Sequence, residues 1–176
     1  MAVTAAAVTV RCLEPAEADI LIPLRREALA SEPLAFGASM EDDRALAPER
    51  LRASLADTGK FAIIGAFESG TLVGMAGLFR MDTLKARHRA GIWGMFVTPA
   101  ARGRGVGAAI LRAAVERARA WPGIVQVHLS VTETSEAAAR LYRAMGFHEW
   151  GVEPRAMHWQ GRYVNEHHLV LEVTQP

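Results

Sequence analysis

Met95-Phe-Val-Thr-Pro-Ala-Ala-Arg-Gly-Arg-Gly-Val-Gly-Ala108 decides the fold: an apolar strand breaks at Pro99, passes three alternating glycines and runs into an amphipathic helix. Gly103, Gly105 and Gly107 lack the Cβ atoms that would hold a phosphate off the backbone, and the opening helix presents N–H groups with no intrahelical partner. A diphosphate resting there meets those donors and the positive end of the helix dipole. Arg102 and Arg104 flank the turn and suit bidentate contacts to phosphate oxygens. The same residues fit Gly-x-Gly-x-x-Ala at Gly103, Gly105 and Ala108, close to a dinucleotide fingerprint. A tight strand-to-helix turn without any ligand would use glycines as well.

Downstream of the turn, Val106, Ile110, Leu111, Ala114, Val115 and Ala118 recur at helical spacing, with Arg112 and Glu116 placed to pair on the wet face. The helix stops before Pro122-Gly123; Val127–Val131 then reads as a strand and Ser135–Met145 as a helix. Upstream, the strand over about Arg89–Val97 contains Gly91 and Gly94, which signals a bulge or the close approach of a ligand. Phe61–Phe67 and Leu72–Phe79 are strands joined through Glu68-Ser69-Gly70-Thr71, a hairpin. Val8–Leu13 is a first strand, and Pro15–Ala30 a helix with Ile20, Leu21, Leu24 and Ala28 on one face. Ser31–Pro48 is loop-rich and acidic at Glu41-Asp42-Asp43, ahead of a short helix Glu49–Ala56. Trp150–Pro154 and Glu166–Val173 read as final strands around a polar loop, His158–Asn165. This order predicts an α/β (α+β) fold: one domain over 1–176, about 1–7 frayed, with a mixed, mostly antiparallel twisted sheet flanked by helices on both faces.

The chain has 176 residues, 51% of them apolar, enough for a core. With 20 basic and 19 acidic residues the net charge is +1, so no bulk field points to nucleic acid or an anionic membrane, and phosphate recognition must be local. Cys12 is the single cysteine, which excludes an intrachain disulfide and a cysteine metal cluster; within an apolar strand it is expected in the core. No run approaches the roughly 20 apolar residues that cross a bilayer. The first eight residues lack a basic n-region, which predicts a cytoplasmic rather than a secreted protein. His167 and His168 are adjacent, so on a strand they face opposite sides, and no metal is assigned.

Written as Arg102-x-x-Gly105-x-Gly107 after Val97-Thr98-Pro99, the turn resembles the acetyl-CoA signature of the GNAT superfamily of N-acetyltransferases. Ala138-Ala139-Arg140-Leu141-Tyr142-Arg143-Ala144-Met145-Gly146-Phe147 resembles that family's second landmark, a helix bearing Leu-Tyr and ending at Gly-Phe. The resemblance is sharp from about Gly91 to Phe147. It implies an acetyl-CoA-dependent N-acetyltransferase, moving the acetyl group directly to a primary amine of a small molecule or a protein N-terminus. It further implies cofactor contacts from Met95, Phe96, Val97, Arg102, Gly103, Arg104, Gly105, Val106, Gly107, Ala108, Ser135, Ala138 and Tyr142, with Tyr142 as general acid.

The chemistry needs a neutral amine, a stabilised oxyanion and a proton for the departing thiolate. A phenol of ordinary pKa, about 10, is protonated at neutral pH and can supply that proton. Packing within the stripe Ala138, Leu141, Tyr142, Met145, with a hydrogen-bonded idle hydroxyl, explains the same spacing. Two positions depart from the family pattern. Ser135 stands where many relatives carry an Asn, and a helix cap is its other role; Trp93 stands where some relatives place a Glu as base. The base is left to water, Glu41, Asp42 or His88. Phe36, Met40, Glu41, Trp93 and Trp159 are expected around the acceptor, between the first helical loop, the central strand and the C-terminal strands. Two rival readings are a non-catalytic acyl-CoA-binding sensor and a dinucleotide-binding oxidoreductase. The second needs an acidic residue about 20 positions after its fingerprint, whereas here the next strand ends in Ser130-Val131-Thr132. A homodimer is compatible with each.

Overall fold

The computed structural model describes residues 7–173. Seven strands, β1 (Val8–Cys12), β2 (Phe61–Glu68), β3 (Thr71–Arg80), β4 (Arg89–Val97), β5 (Gln126–Thr132), β6 (His148–Trp159) and β7 (Arg162–Glu172), form one sheet in the order β1-β2-β3-β4-β5-β7-β6. Every neighbouring pair is antiparallel except β4 and β5. The helices are α1 (Ala18–Ser31), α2 (Pro48–Ala56), α3 (Val106–Arg119) and α4 (Glu136–Ala144), in the expected order.

Successive side chains of β2 serve two cores, which is why it reads as an apolar run instead of an alternation. Ile63 packs with Leu21, Leu24, Leu51 and Leu55 of α1 and α2, while Ile64 packs with Ile110, Leu111 and Ala114 of α3. The sheet is therefore covered on both faces, as expected of a mixed α/β layer.

Several expectations are corrected. The helical face of α1 is Ala18, Leu21, Leu24, Arg25, Ala28 and Leu29, and Ile20 is exposed. Cys12 shares the parity of Val8 and Val10 on the edge strand but stands exposed at its end, where the chain turns inward only at Leu13. Glu116 pairs with Arg119, three residues on, and not with Arg112. The polar loop over His158–Asn165 does not exist: β6 and β7 pair as far as Trp159↔Arg162, and Gln160-Gly161, with φ of 46° and 79°, close a two-residue turn of the kind that suits strand twist. Polar residues misled the sequence reading because this hairpin lies largely open to solvent. The proposed frayed segment 1–7 falls, apart from Ala7, outside the described residues.

Candidate active site

The parallel ladder between β4 and β5 consists of Arg89↔Gln126, Ala90↔Val127 and Gly91↔His128, and ends there. Beyond Gly91, β4 continues to Val97 paired only with β3, so its other edge carries backbone groups with no ladder partner. Within that free stretch β4 bulges. Gly77 faces Trp93 and Met75 faces Phe96, which leaves Gly94 and Met95 opposite Ala76 alone. Gly94 has φ +61°, a conformation that an L side chain rarely adopts, and this explains the glycine inside a strand. The extra residue resets the alternation: Trp93 and Phe96 join the α1–α2 core and Met95 packs against the α3 core.

β4 leads directly to the glycine turn. Gly105 is the N-cap of α3, at φ +79° and with no side-chain cap, and the first helical bond inside the turn runs from the Ala109 N–H to the Gly105 carbonyl at 3.0 Å. Among the described residues the N–H groups of Val106, Gly107 and Ala108 thus have no carbonyl partner and form a set of donors at the helix start. A Cβ on Gly105 would meet nothing within 4 Å, so the space beside it is open. At Gly107 a Cβ would come within 3.3 Å of Leu141 Cδ2, 3.5 Å of Met95 Cε and 3.9 Å of Val97 Cγ2. The bulged end of β4, the start of α3 and the Leu141-Tyr142 turn of α4 converge there.

The two arginines that flank the turn each have protein partners. Arg102 Nε donates to the Val97 carbonyl at 2.9 Å and its Nη2 pairs with Glu32 at 3.1 Å, so it straps the turn to the end of β4. Arg104 is paired with Glu68 of β2, and the hydrogen bond from Arg104 holds the Glu68 carboxyl below its ordinary range. In this structure both guanidinium groups already serve protein carboxylates, and the open donors are the backbone N–H groups.

Tyr142 is only 6% exposed, its ring packs against Phe147 at 6.2 Å between centroids, and its hydroxyl has no hydrogen-bond partner among the described residues. Burial pushes its pKa up to about 12, so the phenol stays protonated. The hydrogen-bonded hydroxyl expected of a purely packing tyrosine is absent among the described residues, while the packing itself, against Phe147, is present. Ser135 is the N-cap of α4 by position, but its hydroxyl does not cap; it lies 3.1 Å from the Thr132 hydroxyl.

On the opposite side a cavity of about 540 Å³ lies between the loop after α1 and the β6–β7 turn. Phe36, Met40, Glu41 and Trp159, which the sequence reading grouped, line it together with Asp42, one of the candidate bases. Trp93 does not: it is half-buried behind the wall, 6.2 Å from the Phe61 ring centre. His88 lies away from this cavity, at the far, closed end of the β4–β5 pair, where its backbone carbonyl accepts from the Val125 N–H. Asp42 is committed to the Ser39 N–H at 2.6 Å and hydroxyl at 3.1 Å, which keeps its carboxyl below the usual range. His158, stacked on Tyr163 at 4.2 Å, also lines the cavity and was missed. The continuous strand through it would have been the signal.

His167 and His168 do point apart, to Glu149 and Glu153. Glu153, Glu166 and His168 nevertheless bring one donor atom each within 4.8 Å of one another, a grouping not foreseen. The bonds of Glu153 to His168 and of Glu166 to Ser130 account for it.

A splayed parallel strand pair, a bulge at its fork and an uncapped glycine turn meet at one end of the sheet. The chain belongs to the acetyltransferase (GNAT) family, which it matches over residues 24–147. It is similar to the N-alpha-acetyltransferase RimI of Mycobacterium tuberculosis, 39% identical over 93 residues that make up 52% of this chain and 55% of that protein. The chain thus spans about half the length of that curated relative. Among solved structures, the GNAT-family acetyltransferase of Streptococcus pneumoniae superposes with a TM-score of 0.84 at 19% identity, covering 95% of this chain and all (100%) of the other. A putative acetyltransferase of Salmonella typhimurium, yncA, solved with its cofactor acetyl-CoA, superposes at 0.80 with 20% identity, covering 97% and 96%. At these identities the superpositions show the shared fold.

Proposed function

We propose that the protein transfers an acetyl group from acetyl-CoA directly to a primary amine of a small molecule or a protein N-terminus. One observation carries this: the β4–β5 ladder stops at Gly91↔His128 while β4 runs on, bulged and paired only with β3, into the uncapped start of α3. A diphosphate fits the donors of Val106, Gly107 and Ala108, and an extended pantetheine fits the free edge of β4, where its amides replace the missing strand. The acetyl carbonyl then lies at the bulge, where backbone N–H groups of Gly94–Val97 can hold the oxyanion. The amine enters from the cavity of Phe36, Glu41 and Trp159. Its nitrogen attacks the thioester carbon, the C–S bond breaks and the sulfur takes the Tyr142 proton. The proton lost by nitrogen has two receivers in the cavity, Glu41 and His158.

The test has two arms. Calorimetry compares acetyl-CoA with NAD, and mass spectrometry follows acetylation across simple amines, polyamines, amino acids and alanine-initiated peptides. Acetyl-CoA binding with acetylation of one amine class is the expected result. Binding without product across the panel would establish the sensor reading instead, and binding of NAD alone would establish the oxidoreductase.

A further inference from the structure

Among the described residues, ten of the eleven ion pairs have solvent-exposed members; the pair of Arg25 with Asp43 is the exception, with side-chain exposures of 3% and 4%. Arg25 Nε donates to Asp43 Oδ2 at 2.6 Å, and Asp43 Oδ1 in turn accepts from the Ala45 N–H at 2.7 Å. The guanidinium carbon lies 4.7 Å from the centre of the Phe36 ring and 5.6 Å from that of Trp93. Nη1 is buried with no hydrogen-bond partner. A Cβ built on Gly94 would come within 3.2 Å of it, so the guanidinium occupies the space directly beneath the β4 bulge.

A buried ion pair is a weak device for stability, since apolar replacements of similar volume often serve as well or better, and an unsatisfied buried donor adds to the cost. Its placement is another matter. Asp43 and Phe36 belong to the loop that walls the acceptor cavity, while Gly94 belongs to the strand that would carry the thioester. The planar, charged fork of arginine connects the two through one rigid group, which lysine's single flexible ammonium cannot do.

We infer that Arg25 is a positioning residue: clamped by Asp43 and pressed against Gly94, it sets the β4 bulge relative to the acceptor loop. The inference rests on the acyl-transfer reading for its kinetic consequence only. In the full-length protein, Arg25→Lys should bind acetyl-CoA with a Kd within about threefold of the unsubstituted protein, while kcat at saturation in both substrates falls at least about tenfold. Amide exchange should accelerate at residues 94–97 and 36–43 together, and stay unchanged at 103–107. A double substitution, Arg25→Met with Asp43→Leu, removes both charges and should keep the Tm near that of the unsubstituted protein without restoring kcat.

An unchanged kcat in Arg25→Lys, a loss confined to the acceptor KM, or recovery of kcat in the double variant would overturn the inference. Exchange unmoved at 94–97 would overturn it as well, independently of any activity. If the unsubstituted protein acetylates no amine, the transfer reading fails by itself, and the exchange pattern alone decides the inference.

Discussion

The two sides of the fork in the sheet are built in opposite ways. The donor side is nearly contiguous: residues 94–108 contribute the bulge, the strap at Arg102 and the uncapped helix start, and only α4 comes from elsewhere. Among the described residues its polar groups are without partners, the first N–H groups of α3 and the Tyr142 hydroxyl alike. The acceptor side joins segments more than 100 residues apart in sequence, the loop after α1 and the β6–β7 turn, and part of its charge is already engaged, as at Asp42 with Ser39. On the proposed function, one side is preorganised for a fixed ligand chemistry and the other is shaped by whichever loops meet there.

The largest expected effect is on the donor side. Tyr142→Phe preserves the ring and its packing against Phe147 but removes the proton, so kcat should fall about 100- to 10,000-fold with a nearly unchanged KM. Wild-type turnover with chemistry rate-limiting would make α4 only a wall. The same pair of proteins carries a pH signature. Because the folded pKa is raised, from 10.0 to about 12, the tyrosine leaves stability untouched below pH 10. As pH rises from 10 toward 12 the unfolded chain ionises first, and folding loses up to about 3 kcal/mol. Thermal unfolding at pH 9 and pH 11 should show that extra loss in the native sequence and not in Tyr142→Phe.

Gly105→Val should weaken acetyl-CoA binding about 10- to 100-fold. The side chain would sit at φ +79°, a strain of about 1–3 kcal/mol, and would project into the open space beside the donors. Circular dichroism should show the helices retained; unchanged affinity by calorimetry would remove the phosphate assignment.

Trp159→Ala tests whether the two sides are separable. The KM of the best amine should rise about tenfold while acetyl-CoA affinity holds, because only the cavity loses a wall. A parallel loss of acetyl-CoA affinity would show that the sides are one site. The smallest effect belongs to Glu68→Gln, which releases Arg104 for phosphate: acetyl-CoA affinity should improve about twofold at low salt, and the gain should fade as salt is added.

Much of the donor side was legible because its information is local. Glycines, a proline break and a helical stripe act within a turn or two, so 95–108 could be read in order, and a glycine within the β4 strand already signalled the bulge. The arginines were legible as charges but not as partners, since Glu32 and Glu68 reach them only after the sheet assembles. The two strands of the β6–β7 hairpin were legible in part, but its outer end over 158–165 was hidden by its polarity, and His158 with it, because an exposed edge there carries no hydrophobic alternation to betray a strand.

By itself, then, the sequence determined the order of elements, the apolar stripe of the helix after the turn and the glycine turn, all consequences of short-range sterics and periodicity. Only the tertiary structure decided where β4 and β5 part, that Trp93 lies behind the cavity instead of in it, and that Arg25 is buried against Gly94 with Asp43. Those outcomes depend on which distant surfaces pack together, and burial, ion pairing and an unsatisfied donor exist only once that packing is complete.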